Sequence, residues 1–128
     1  MLRILVIEDS PVNMALTVAI LENAGHSVIQ ADRARLGIEL AKREHPDLVL
    51  MDIQLPDLDG LTATRQLKAD PSTAHLPVIA LTAFAMKGDE EESRAAGCDG
   101  YVTKPIRYKE FLAEVGTVMR RRAATTVR

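Results

Sequence analysis

Residues 2–7 are nearly all apolar and rich in branched side chains, and the same texture returns at 48–51 and 78–81, with shorter runs at 28–29 and 101–102. Continuous apolar runs predict strands buried on both faces, the mark of a parallel sheet covered by helices on each side. The segments between them carry helical spacing. Residues 11–24 place Leu16, Ala19 and Ile20 at i, i+3, i+4 offsets, and Gly25 follows where a left-handed cap ends a helix. Residues 34–44 turn Gly37, Leu40 and Ala41 inward and stop ahead of Pro46. Further helices are predicted over 60–69 before Pro71, over 87–96 before Gly97, and over 108–122 with Phe111, Val115 and Met119 on one face.

Strand and helix thus alternate through the whole chain. With short loops and right-handed crossovers, the pattern predicts a doubly wound (βα)5 α/β fold of flavodoxin-like type, with parallel strands in the order 2-1-3-4-5. The first and third strands are then neighbours at the switch point of the sheet. Asp9 and Asp52 face each other across it.

The 128 residues suit one domain, drawn over 1–122, with 123–128 as a short frayed tail. Hydrophobic residues at 47% and charged ones at 27% are ordinary for a globular protein and argue against disorder. Eighteen acids against 16 bases leave a charge of -2, so no basic excess drives contact with nucleic acid. The run Arg120, Arg121, Arg122 is the one basic cluster and reads as cations suited to a helix C-terminus. The single Cys98 excludes an internal disulfide and reads as a small apolar residue packed beneath a turn. Met1 leads straight into strand-like sequence and no apolar stretch reaches the length of a membrane span, which predicts a cytoplasmic protein.

The chemistry gathers at the strand ends. Glu8 and Asp9 close the first apolar run, Asp52 closes the third, and Thr82 and Lys104 close the last two. In an open parallel sheet all of these meet at the carboxyl edge, where ligands bind. Carboxylates brought that close stay ionised only with a cation among them, and an oxygen-only set favours a hard ion such as Mg²⁺, with Mn²⁺ as a substitute. Asp9 is expected to ligate directly and Glu8 to orient a bound water. A divalent ion, the Lys104 ammonium and the Thr82 hydroxyl around one carboxylate make a cradle for a phosphoryl group, with Asp52 as nucleophile. Taken singly, Thr82 reads as a helix cap and Lys104 as a solvated charge.

The acid pair Glu8 and Asp9, Asp52 with Leu55, Pro56, Asp57, Leu58, Asp59 and Gly60, then Thr82 and Ala83, then Lys104 and Pro105, form an ordered set that resembles bacterial two-component receiver domains over essentially the whole chain. The resemblance implies that Asp52 accepts a phosphoryl group from a phosphohistidine on a histidine kinase or phosphotransfer protein. It implies Mg²⁺ on Asp9, Asp52 and the Gln54 backbone carbonyl, and phosphoryl oxygens on Lys104, Thr82 and the Ala83 amide. Tyr101 matches the aromatic that turns inward when the threonine moves to the phosphate. Such a protein catalyses its own aspartyl phosphorylation and dephosphorylation and is no metabolic enzyme. More narrowly, residues 51–56 (MDIQLP), residues 82–91 (TAFAMKGDEE) and the Gly97, Cys98 pattern are similar to stand-alone regulators of cell division and polarity of the DivK type. Receivers within hybrid sensor kinases share the opening at residues 8–14.

Two surfaces stand out. Residues 11–21 carry no charge at all; with Leu16 and Ile20 facing the sheet, Val12 and Ala15 are left exposed beside the acidic edge as a docking face for a kinase or phosphotransfer partner. Phe84 and Met86, with Tyr101, form a second candidate face for a downstream protein target. The expected state is a monomer or weak dimer. Other readings stay open: a receiver excised from a hybrid kinase, and a receiver-like interaction module that takes no phosphate. A dehalogenase-type phosphatase needs a second aspartate two residues past the nucleophile, where Gln54 stands. A flavodoxin-like redox protein needs a phosphate loop that Glu8 and Asp9 would repel.

Overall fold

The computed structural model describes residues 1–83 and 88–126. The described residues form β1 (Arg3–Ile7), α1 (Pro11–Asn23), β2 (Ser27–Ala31), α2 (Ala34–Glu44), β3 (Leu48–Asp52), α3 (Gly60–Ala69), β4 (Val78–Thr82), α4 (Asp89–Ala95), β5 (Gly100–Thr103) and α5 (Tyr108–Thr126). All the strand pairs are parallel and the sheet runs β2-β1-β3-β4-β5, the predicted order. Ile4 to Ile7 of β1 and all of β3 and β4 are buried, as continuous apolar runs require of strands covered on both faces.

Alternate residues of each strand feed two cores, one on each face of the sheet. Leu5, Ile7, Val49 and Met51 pack with Ala34, Leu40, Ala63 and Leu67 from α2 and α3. Ile4, Val6, Leu48 and Leu50 pack with Met14 and Leu21 of α1 and with Phe111, Val115 and Val118 of α5. Gly37 lets α2 lie directly on β1, since a Cβ there would collide with the Ile7 side chain.

The helix faces depart from expectation in two places. On α1 the buried residues are Met14, Thr17 and Leu21, while Leu16 is 43% exposed and Ala19 lies outside. Apolar side chains surround this helix on every side, so spacing alone defines no single stripe. On α5 Val118, and not Met119, completes the buried face with Phe111 and Val115. That helix also continues to Thr126, past the boundary drawn at Arg122. The expected start of the fourth helix at Lys87 lies outside the described residues, as do Phe84 and Met86. Cys98 is buried after Gly97, with its amide bonded to the Ser93 carbonyl at 3.0 Å.

Candidate functional site

Strand register alone brings the candidate residues together. Ile7 pairs with Met51, Asp52 with Leu81, and Thr82 with Thr103. The next residues in the chain, Glu8, Asp9 and Lys104, therefore emerge beside Asp52 and Thr82 at one carboxyl edge. The Lys104 amide donates to the Thr82 carbonyl at 2.7 Å, and the Glu8 amide to the Ala31 carbonyl at 3.0 Å. The Lys104–Pro105 peptide is cis.

Lys104 Nζ stands between two carboxylates, 2.6 Å from Glu8 Oε1 and 3.1 Å from Asp52 Oδ2. The other oxygens are also engaged: Ser10 N donates to Glu8 Oε2 at 3.1 Å and Gln54 N to Asp52 Oδ1 at 3.0 Å. Glu8 and Asp52 are buried, whereas Asp9 and Gln54 are exposed at the mouth. Glu8, Asp9 and Asp52 each offer an oxygen within 4.8 Å of the others.

Burial pushes the Glu8 carboxyl above its usual range and contact with Asp52 adds to this, against the pull of Lys104 and the Ser10 amide. For Lys104 burial works to lower the ammonium, but the hydrogen bond to Glu8 and the charge of Asp52 outweigh it and raise it. The lysine is thus held protonated in the pair. One ammonium does not balance three carboxylates, and the excess of negative oxygen fits a divalent cation entering beside exposed Asp9. The acidic set is suited to such an ion by charge, by donor type and by its open side.

Thr82 is buried at the end of β4 and Ala83, next in the chain, is exposed. Tyr101 is half-buried on β5, and its amide donates to Glu114 Oε2 of α5 at 3.0 Å. Val12, 78% exposed, and Ala15 lie on the outer side of α1 beside the acidic edge.

Two features escaped the sequence reading. Glu8 carries the shortest contact to Lys104, a pairing the sequence did not predict. Asp57 reaches across to α2, its two oxygens accepting from the Ala34 and Arg35 amides at 2.8 and 2.9 Å. One signal for the second was present: Arg33 precedes α2 and makes no side-chain cap bond, so that helix needs an acceptor from elsewhere.

The sequence and the fold have counterparts among known proteins. Residues 4–116 match the response regulator receiver domain family. The polar-differentiation response regulator DivK of Brucella ovis is 45% identical over 112 residues, covering 88% of this chain and 91% of that protein. The DivK of Brucella anthropi is 44% identical over the same shares of the two chains. Among solved structures, the receiver domain of the Pseudomonas aeruginosa sensor histidine kinase PA1611, described with a magnesium ion in its active-site cleft, superposes with a TM-score of 0.83 at 36% identity, over 93% of this chain and 95% of that one. A CheY-like receiver domain protein of Methanospirillum hungatei gives a TM-score of 0.87 at 27% identity, over 96% and 97%. On the match of more than three quarters of its length, together with the DivK relatives, this chain belongs to the response regulator receiver domain family of two-component signalling.

Proposed function

We propose that this protein accepts a phosphoryl group on Asp52 from a phosphohistidine of a histidine kinase or phosphotransfer protein, and signals through phosphorylation-dependent contact with a downstream protein. The observation that carries the reading is Asp52 itself: a buried carboxylate 3.1 Å from the Lys104 ammonium, within an acidic group left short of positive charge.

In the transfer, an Asp52 carboxylate oxygen forms a bond to phosphorus while the P–N bond breaks. The imidazole keeps that electron pair and takes a proton from water. Mg²⁺, when bound, supplies positive charge against the negative oxygens of the donor and acceptor. Asp9, Asp52 and the Gln54 carbonyl would hold it, with Glu8 behind them; Mn²⁺ offers similar coordination. Lys104, the Thr82 hydroxyl and the Ala83 amide would receive the phosphoryl oxygens, and Lys104 would exchange its Asp52 contact for one of them without leaving Glu8. Thr82 and Tyr101 would report the change to the β4–β5 side of the molecule, and partner binding would strengthen only as far as its affinity differs between the two forms.

The face of α1 carrying Val12 and Ala15 would receive the phosphohistidine partner. Similarity to DivK supports a stand-alone regulator in cell-cycle or polarity control, in the cytoplasm and without nucleic-acid contact. Similarity to the PA1611 receiver supports a role as part of a larger kinase. No helix of the described residues is long and apolar enough to cross a membrane.

Phosphotransfer from a labelled, phosphorylated histidine kinase tests the reading. Label should move to the wild type and not to Asp52→Asn. Equal labelling of Asp52→Asn would put the acceptor elsewhere.

A further inference from the structure

The loop between β3 and α3 carries Gln54 and is pinned at its inner end. Ile53 N donates to the Leu81 carbonyl at 3.0 Å and Gly60 N to the Ile53 carbonyl at 2.8 Å. A Cβ on Gly60 would run into the Asp52 carbonyl oxygen, so the start of α3 sits directly on the end of β3. Asp59 then caps α3 through the Leu61 amide at 2.8 Å and the Thr62 hydroxyl at 2.9 Å. Gln54 N adds a bond to Asp52 Oδ1 at 3.0 Å, and Leu55 and Leu58 pack against the core, but none of these contacts ties the loop to α2.

Asp57 does. Its carboxylate spends both oxygens on the first amides of α2, and Arg35 adds a charge contact at 4.0 Å. Burial works to raise this carboxyl, yet the amides of Arg35 and Ala34 outweigh it and hold it below its usual value. The segment it grips is the continuation of Asp32 and Arg33, which line one open cleft with Glu8 and Asp9. The clamp therefore ties the loop bearing the Gln54 carbonyl to the element bordering Asp9.

We propose that Asp57 is a positioning residue for the acidic cleft, fixing the Gln54 carbonyl relative to Asp9 so that a divalent cation meets its ligands already in place. This rests on the proposed reading of the cleft as the ion and phosphoryl site. Without the clamp, part of the ordering of the outer loop falls to the ion at the moment it binds, and its affinity drops. A residue that merely capped α2 would cost stability and leave the ion untouched.

The test compares wild type, Asp57→Ala and Asp57→Asn in three readouts: the Mg²⁺ dissociation constant from titration of backbone amide shifts, hydrogen exchange at Ala34 and Arg35, and labelling by acetyl phosphate against Mg²⁺ concentration. Support for outer residues of a metal site is worth about tenfold or more when they touch a ligand, so this indirect clamp is expected to raise the Mg²⁺ constant of Asp57→Ala about threefold to tenfold. The Mg²⁺ needed for half-maximal labelling should rise by the same factor, with the rate at saturating Mg²⁺ changed by less than about twofold. Asp57→Asn, which keeps an acceptor for one amide, should fall between. Faster exchange at Ala34 and Arg35 with an unchanged Mg²⁺ constant would reduce Asp57 to a helix cap and overturn the proposal. Wild type that binds Mg²⁺ but takes no phosphoryl group would overturn the proposed function alone, since the Mg²⁺ titration still decides the clamp.

Discussion

At the scale of single residues, the chemistry depends on how few charges are left to balance one another. Glu8, 1% exposed, is tolerated because Lys104 meets it at 2.6 Å, and the same ammonium reaches Asp52. That these residues meet was legible in the sequence, because strand ends in a parallel sheet share an edge. The pairing of Lys104 with Glu8 was not, since the depth of Glu8 follows from side-chain packing that spacing does not encode. Thr17 is the opposite case: among the described residues its hydroxyl is the buried side-chain polar atom with no hydrogen-bond partner. Thr17→Val keeps the shape and removes that unsatisfied group, so it should stabilise the fold by about 1 kcal/mol in urea unfolding. A loss of similar size would mean that the hydroxyl is satisfied. Burial raises the Cys98 thiol to about 11, and a thiol-reactive probe at pH 8 should label it slowly in the native protein and fully in denaturant. Rapid native labelling would contradict its packed position.

At the scale of elements, legibility tracked amphipathicity. The second helix, with charges along its outer side, was read correctly to its buried Gly37, Leu40 and Ala41. On the first, Leu16 is exposed where the spacing turned it to the sheet, because residues 11–21 offer no charge to mark the solvent side, while Ile20 packs against the core and Val12 and Ala15 face outward as expected. The α3 exit shows how a cap couples elements: Asp70 accepts from the Ser72 amide and hydroxyl, both at 2.8 Å, and pairs with Lys42 of α2 at 3.1 Å. The Ser72 amide first, then its hydroxyl and Lys42, hold the Asp70 carboxyl at about 2, below its ordinary 3.8. A depressed carboxyl favours the folded, ionised form, so its contribution is complete above the unfolded value and disappears as pH falls from about 3.8 towards 2. Asp70→Asn should therefore flatten the decline of the urea midpoint between pH 5 and pH 2.5. An unchanged slope would show that Asp70 contributes nothing to acid unfolding.

At the scale of the whole molecule, the parallel sheet brings the ends of β1, β3, β4 and β5 to one chemical edge, and α1 lies beside that edge with Val12 turned outward. A partner that delivers a phosphohistidine to Asp52 must cover this neighbourhood, and apolar exposure there favours a packed contact. Val12→Lys should slow phosphotransfer from a cognate kinase about tenfold while leaving labelling by acetyl phosphate, which needs no docking, unchanged. Transfer at the wild-type rate would remove α1 from the contact. The central claim, that Asp52 is a phosphoryl acceptor served by a divalent ion, is tested most directly by intact mass after incubation with acetyl phosphate, with and without Mg²⁺, on wild type and Asp52→Asn. The account predicts one added phosphoryl group on wild type with Mg²⁺ and none on the variant. It is contradicted by an adduct of equal yield on Asp52→Asn, or by none on wild type under conditions that preserve acyl phosphates.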